Sequence, residues 1–486
     1  MALNSLKFLA YFTVLCIMLS FLQLAKFFVK KIIKKDLGAH ILDRLQIVLI
    51  LLFSYAFICA ADLKFGICIA LLTLFTYFIG ILLGRTEGKI KRLCLTIGIC
   101  LSLLMLVFFK YSNFFADSFM HLLGKGNVNL KIMLPVGISF YTLSAVGYLI
   151  DVYRGDYKPE KNLLNYGLFM ACFTKITAGP IIRAGELLPQ IKKYRGINWS
   201  NISIGIQIFV FGLFKKIVLA DRLGVFVNDV FNAPAEFNTF SVIWAVISYS
   251  LQIYLDFSGY SDMAIGMSKI LGFDFSRNFN LPYISANLSE FWKRWHISLS
   301  SWFKDYLYIP LGGSRNGKYR TILNLIIVML CSGLWHGAAW TFVIWGLMYG
   351  IFEAIYSLFK RKKNIKVSRI QNICSIAVNY VIVALLWVVF RADSLSKSID
   401  VYKLIFTYHK GIMQPYTWTF FAIACVAAST FAAIIKSKRD HDKYVNGFYP
   451  ILDLTKLSSL IIFFTFTGLT IIMAYFGNNA FIYGKF

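Results

Sequence analysis

"TILNLIIVMLCSGLWHGAAWTFVIWGLMYG" occupies residues 321–350, and from Ile322 to Tyr349 it holds no Asp, Glu, Lys or Arg. About twenty apolar residues in helical form span a bilayer core, so this stretch reads as membrane helix. One ionisable side chain, His336, falls near its middle. An imidazole at that depth is costly and is expected to face the protein interior rather than lipid. Gly333 and Gly337 bracket it as a small-xxx-small pair, which lets another helix or a substrate come close. The plain alternative is a structural imidazole hydrogen-bonded to a neighbouring helix.

The rest of the chain repeats this pattern. Of its 486 residues 58% are hydrophobic and only 15% charged, with a mean hydropathy of +0.66, whereas a soluble domain carries about 25% charged residues. Apolar runs lie near 6–29, 44–60, 65–84, 93–109, 132–150, 201–220, 238–257, 322–343, 344–359, 371–390, 413–435 and 457–477. Not every run must cross, so roughly ten to twelve crossings are predicted. The runs lack strict alternation, which favours helices over a barrel. The expected fold is an all-α polytopic membrane protein, forming one domain over 1–486.

Fifty basic residues against 23 acidic ones give a net charge of +27. In a soluble chain that balance suggests nucleic acid. Here the basic clusters at 30–35, 85–92, 191–195, 360–366 and 436–440 flank apolar spans, and positive-inside bias explains them. No nucleic-acid partner is expected. Alternating clusters with spans places both termini outside and makes the number of crossings even. The apolar N-terminus lacks a small-residue cleavage site and reads as a first span. Nine cysteines stand singly without C-x-x-C, so neither zinc nor a disulfide framework is expected.

The middle third differs. "NLSEFWKRWHISLSSWFKDYLYIPLGG" (287–313) mixes aromatic and charged residues around His296 and predicts an interfacial or re-entrant helix stopped by Pro310. "YLDFSGYSDMAIG" (254–266) places Asp256, Ser258, Tyr260 and Asp262 around Gly259. It predicts a polar, glycine-broken helix end, which could hold an ion in a transporter or line a reaction chamber. "GGSRNGKY" has Tyr319 where a phosphate loop needs Ser or Thr. There is no H-E-x-x-H, G-x-S-x-G or H-x-x-x-x-D.

Seven stretches together carry a family resemblance: "FFKYSNFF" (108–115), "LPVGISFYTL" (134–143), "AGPIIR" (178–183), "GLFKKIVLAD" (212–221), "QIYLDFSGYSDMAIG" (252–266), "FWKRWHISLSSWFKDYLYIPLGGSR" (291–315) and "LWHGAAWTFVIWG" (334–346). The chain resembles the membrane-bound O-acyltransferase (MBOAT) family, in its bacterial AlgI-like branch of alginate and polysaccharide O-acetylation. The family-like core covers about 108–350. The resemblance implies helices around a central tunnel and acyl transfer from a thioester donor to a hydroxyl. It implies that His336 is the family's histidine and His296 its second polar position. Histidine suits the role, because taking an alcohol proton needs a base near neutral pH. The assignment expected is His336 as base and His296 as the orienting group, with Trp295, Trp335, Asp256, Ser258, Tyr260, Asp262 and Asn287 lining the tunnel.

The tail "FIYGKF" (481–486) resembles the branch's aromatic C-terminus. There the resemblance implies an acyl relay at Tyr483 within an extracytoplasmic tail, 478–486; an interfacial aromatic anchor is the plain alternative. The resemblance further implies acetyl-CoA or an acyl carrier protein as donor, with no bound cofactor or metal. It implies an exported acetyltransferase-like partner protein, a polysaccharide acceptor and a multi-pass place in the bacterial cell (plasma or inner) membrane. D-alanyl transfer to teichoic acid and peptidoglycan O-acetylation are the alternatives within the family. A secondary transporter or exporter of glycans is the alternative outside it.

Overall fold

In lipid a helix alone satisfies its backbone within one segment, and the long apolar runs behave accordingly. The computed structural model describes all residues except 1–2, 34–35, 126–129, 131, 178, 360–367, 440–451, 476, 478–481 and 483–486. Among the described residues, nine helices are long and apolar enough to cross a membrane: Leu6–Lys31, His40–Cys59, Leu63–Leu83, Gly88–Leu122, Trp199–Asn232, Thr239–Ile270, Gly317–His336, Trp340–Phe359 and Arg369–Arg391. Three shorter apolar helices, Leu163–Ile176, Thr417–Ala432 and Leu457–Ile472, join them. The described residues contain no β-ladder, only an isolated bridge between Phe237 and Ile412. The predicted all-α polytopic class is the observed one. The run predicted near 132–150 yields a shorter helix, Ile138–Arg154. Pro135 precedes it, and Gly137 at φ 75° delays its start.

The chain divides by contact into two compact units, Met1–Phe209 with Ser261–Ser276, and Val210–Tyr260 with Arg277–Phe486. In the first unit Tyr148 sits against Gly80, where an added Cβ would lie 2.7 Å from the ring. Its hydroxyl accepts from the Glu160 backbone N–H at 3.0 Å, and the Glu160 carboxylate pairs with Lys192 at 2.6 Å.

In the second unit the Gly317–His336 and Trp340–Phe359 helices form a hairpin whose backbones nearly touch. A Cβ on Gly333 would fall 2.3 Å from the Phe342 carbonyl oxygen, and one on Gly346 would fall 2.4 Å from that of Met329. The small residue at 333 therefore serves helix packing, as its spacing predicted.

Two sequence expectations change. The Thr239–Ile270 helix runs unbroken through Gly259. A Cβ there would meet the Gly212 carbonyl oxygen at 2.7 Å, so this glycine permits a helix crossing and does not end a helix. The 287–313 segment is not one helix: Leu288–Arg294 and Ile297–Phe303 are separated at His296, whose backbone is left-handed at φ 42°. The break itself is buried, with Phe291, Trp295, His296 and Leu299 all shut off from solvent.

Candidate active site

His336 is the last residue of its helix, and Gly337 caps it in extended conformation. A Cβ at 337 would enter the Phe342 ring at 2.1 Å, so only glycine lets the chain turn there. The imidazole is 2% exposed. It meets Trp335, Trp345 and Phe390 edge-on, with ring centroids 5.1, 5.2 and 5.4 Å away. The carbonyl end of its own helix lies beside this ring.

His296 is fully buried and rests edge-on against Phe257 at 4.7 Å. Its Nδ1 lies 3.2 Å from Asn278 Oδ1. The same Asn278 oxygen accepts from the Ser298 backbone N–H at 3.2 Å and the Ser298 hydroxyl at 2.9 Å. A backbone N–H can only donate, which fixes that atom as the amide oxygen and the imidazole proton on Nδ1. Nε2 then carries the lone pair, and it has no hydrogen-bond partner among the described residues. Burial, with no other cause opposing it, holds this imidazole below the ordinary histidine pKa. The ring lies 5.8 Å from the Trp335 indole, so both histidines share one aromatic neighbour.

Around Trp345, a ring neighbour of His336, three buried donors cluster. The Trp345 and Trp292 indole N–H groups and the Tyr349 hydroxyl find no partner among the described residues. Their rings are mutual neighbours, at 4.9 Å for Trp345–Tyr349, 5.1 Å for Trp292–Tyr349 and 5.9 Å for Trp292–Trp345. Leaving a buried donor unpaired costs about 1–3 kcal/mol. A carbonyl or developing oxyanion among them would relieve that cost.

Comparison with known proteins bears on this arrangement. The model of "MBOAT, membrane-bound O-acyltransferase family" matches residues 160–396. The chain is 37% identical over 373 residues to the probable alginate O-acetylase AlgI of Pseudomonas aeruginosa, covering 75% of this chain and 71% of that one. It is 36% identical over 388 residues to the peptidoglycan O-acetyltransferase of Helicobacter pylori, covering 74% and 73%. It is 29% identical over 243 residues to the teichoic acid D-alanyltransferase of Bacillus subtilis, covering 46% and 60%. The chain belongs to the membrane-bound O-acyltransferase family.

In this multi-pass O-acyltransferase the residues singled out from sequence separate into groups. His296, His336 and Trp335 come together. Trp295 joins them through aromatic contacts, stacking on Phe291 at 5.5 Å and reaching Trp387 at 5.0 Å. Asp256 is elsewhere engaged, in an ion pair with Lys216 at 2.7 Å. Ser258 and Tyr260 are buried in the same helix, and Asp262, also buried, falls in the first unit. Asn287 caps the Leu288–Arg294 helix, accepting from the Glu290 backbone N–H at 2.9 Å. Tyr483 lies outside the described residues. Among the described residues no cluster of His, Cys, Asp and Glu could hold a metal ion.

Sequence reasoning missed Asn278, Trp345 and Tyr349. Asn278 sits eighteen residues before His296 in an irregular stretch, with no spacing to flag it. Trp345 and Tyr349 looked like ordinary membrane aromatics, and only their unpaired polar atoms distinguish them. Lys216 carried a legible signal, a lysine inside an apolar run.

Proposed function

We propose that the protein moves an acetyl group from a cytoplasmic thioester, acetyl-CoA or an acylated carrier protein, toward hydroxyls of an exported polysaccharide. His336 acts as general base in this reading. It takes the proton of the attacking hydroxyl while the oxygen bonds to the acyl carbon, and the carbon–sulfur bond then breaks. The departing thiolate recovers the proton. The Trp345 and Tyr349 donors face the oxyanion that forms between these steps, a role the neutral Nδ1–H tautomer of His296 leaves to others. The observation that carries the reading is the placement of His336 at a helix C-terminus beside unpaired buried donors.

The polysaccharide acceptor draws support from the similarity to proteins named alginate O-acetylase. The bacterial plasma (inner) membrane and an exported acetyltransferase-like partner belong to the same reading, as does acyl relay through Tyr483. Expression of His336→Ala in membranes tests it: donor-dependent acyl transfer should fall by about 10²–10⁴ at normal protein level, the usual worth of a general base. Near wild-type transfer would exclude His336 as base.

A second reading exchanges the histidines. Asn278 clamps His296 so that Nε2 presents its lone pair, which is the arrangement of an oriented base. Asn278→Ala separates the two. It should raise KM with little change in kcat if His296 only orients the acceptor. A loss of kcat of about tenfold or more, the worth of one buried hydrogen bond, would identify His296 as the base.

A further inference from the structure

The stretch "GLFKKIVLAD" (212–221) places Lys216 where the first reading gives it no task. Phe214–Ala220 is π-helical, a rare local widening that often marks a functional position. That widening brings Lys216 and Asp221, five residues apart, into an ion pair at 2.7 Å. The same ammonium meets Asp256 Oδ1 at 2.7 Å. All three side chains are buried, so a single ammonium is shared by two carboxyl groups inside the protein. A buried carboxylate needs donors on both oxygens, and the helix around Asp256 spends its own N–H groups on its backbone ladder. The donor comes from the far end of the chain: the Ile482 backbone N–H reaches Asp256 Oδ2 at 2.8 Å.

Three more hydrogen bonds hold the approach to that point. Arg222 donates to the Met473 carbonyl oxygen at 2.9 and 3.1 Å. The Tyr475 backbone N–H donates to the Ile217 carbonyl oxygen at 2.8 Å. Met473 and Ile482 both pack against the hydrophobic core of this unit. We infer that Lys216, Asp221 and Asp256 form the docking site for the protein's own C-terminal segment, with Asp256 as the positioning residue that holds the backbone at Ile482. The bond is made to a main-chain N–H, so it fixes the register of the tail whatever side chain stands there. The site's consequence for acyl transfer rests on the relay reading of Tyr483; the docking does not.

Hydrogen–deuterium exchange on the full-length protein in nanodiscs tests the inference. Asp256→Ala leaves a neutral Lys216–Asp221 pair, so the fold should persist. The Ile482 amide should exchange at least tenfold faster, while the Tyr475 amide keeps its protection. Asp256→Asn, which retains an acceptor oxygen, should restore most of the protection. An Ile482 amide equally protected in wild type and Asp256→Ala overturns the proposal. If Asp256→Ala does not fold, Ile482→Pro removes the donor and leaves the triad whole. Trypsin cleavage after Lys485 should then be several-fold faster than in Ile482→Ala, which keeps the N–H; equal rates overturn the docking site. Acyl transfer is measured separately. A released tail with unchanged turnover leaves the docking site standing and removes the relay role instead.

Discussion

His296 and His336 are both closed to solvent, yet their surroundings ask different things of them. His336 has a helix carbonyl end behind it and aromatic rings packed around it. His296 has its proton pinned on Nδ1 by Asn278, which favours accepting from a neighbour. At this scale Trp345 carries a prediction. Trp345→Phe keeps most of the aromatic surface but removes the unpaired N–H beside His336. Loss of an oxyanion donor is worth about 10²–10³ in turnover. A fall of that order, with KM and melting temperature near wild type, is expected from steady-state kinetics in membranes. The two Trp-His dipeptides were legible from sequence. The donor set was not, because a tryptophan that packs and one that donates look alike until its neighbours are known.

Helices in this protein meet through glycine. Gly333 and Gly346 bring two backbones together in the hairpin that ends at His336, and Gly259 does the same against Gly212. Gly346→Val would press a branched side chain onto the Met329 carbonyl oxygen at the hairpin crossing. Overpacking of this kind costs about 1–3 kcal/mol. A lower melting temperature together with lost activity is expected, since the shift moves Trp345 and His336 with it; a thermal shift assay in detergent reads the first. The sequence showed Gly333 as a packing residue through its spacing. It misassigned Gly259 as a helix break, because glycine's low helix propensity counts for little where a close crossing and a lipid environment hold the helix.

Across the whole molecule, charge patterning is the feature with the longest reach. Basic clusters alternate with the spans, and positive-inside bias predicts from them that both termini face outside and residues 154–195 face the cytoplasm. Alkaline phosphatase fused after residue 486 should be active, and the same enzyme inserted near Lys193 inactive. The reverse pattern would place the C-terminal segment on the wrong side for an exported acceptor. Hydropathy and charge sufficed for this expectation because a bilayer imposes a nearly one-dimensional rule on the chain.

The sequence by itself determined the membrane-spanning, all-helical class and the two candidate histidines. Apolar run length, buried ionisable residues and short motifs are local properties that lipid makes decisive. Only the tertiary structure decided which groups lie near those histidines. Asn278 on Nδ1, the Trp345 and Tyr349 donors, and the meeting of Lys216, Asp256 and Ile482 join residues far apart in the chain. Their chemistry exists only once packing removes water and leaves each polar atom to find its partner in the protein or the substrate.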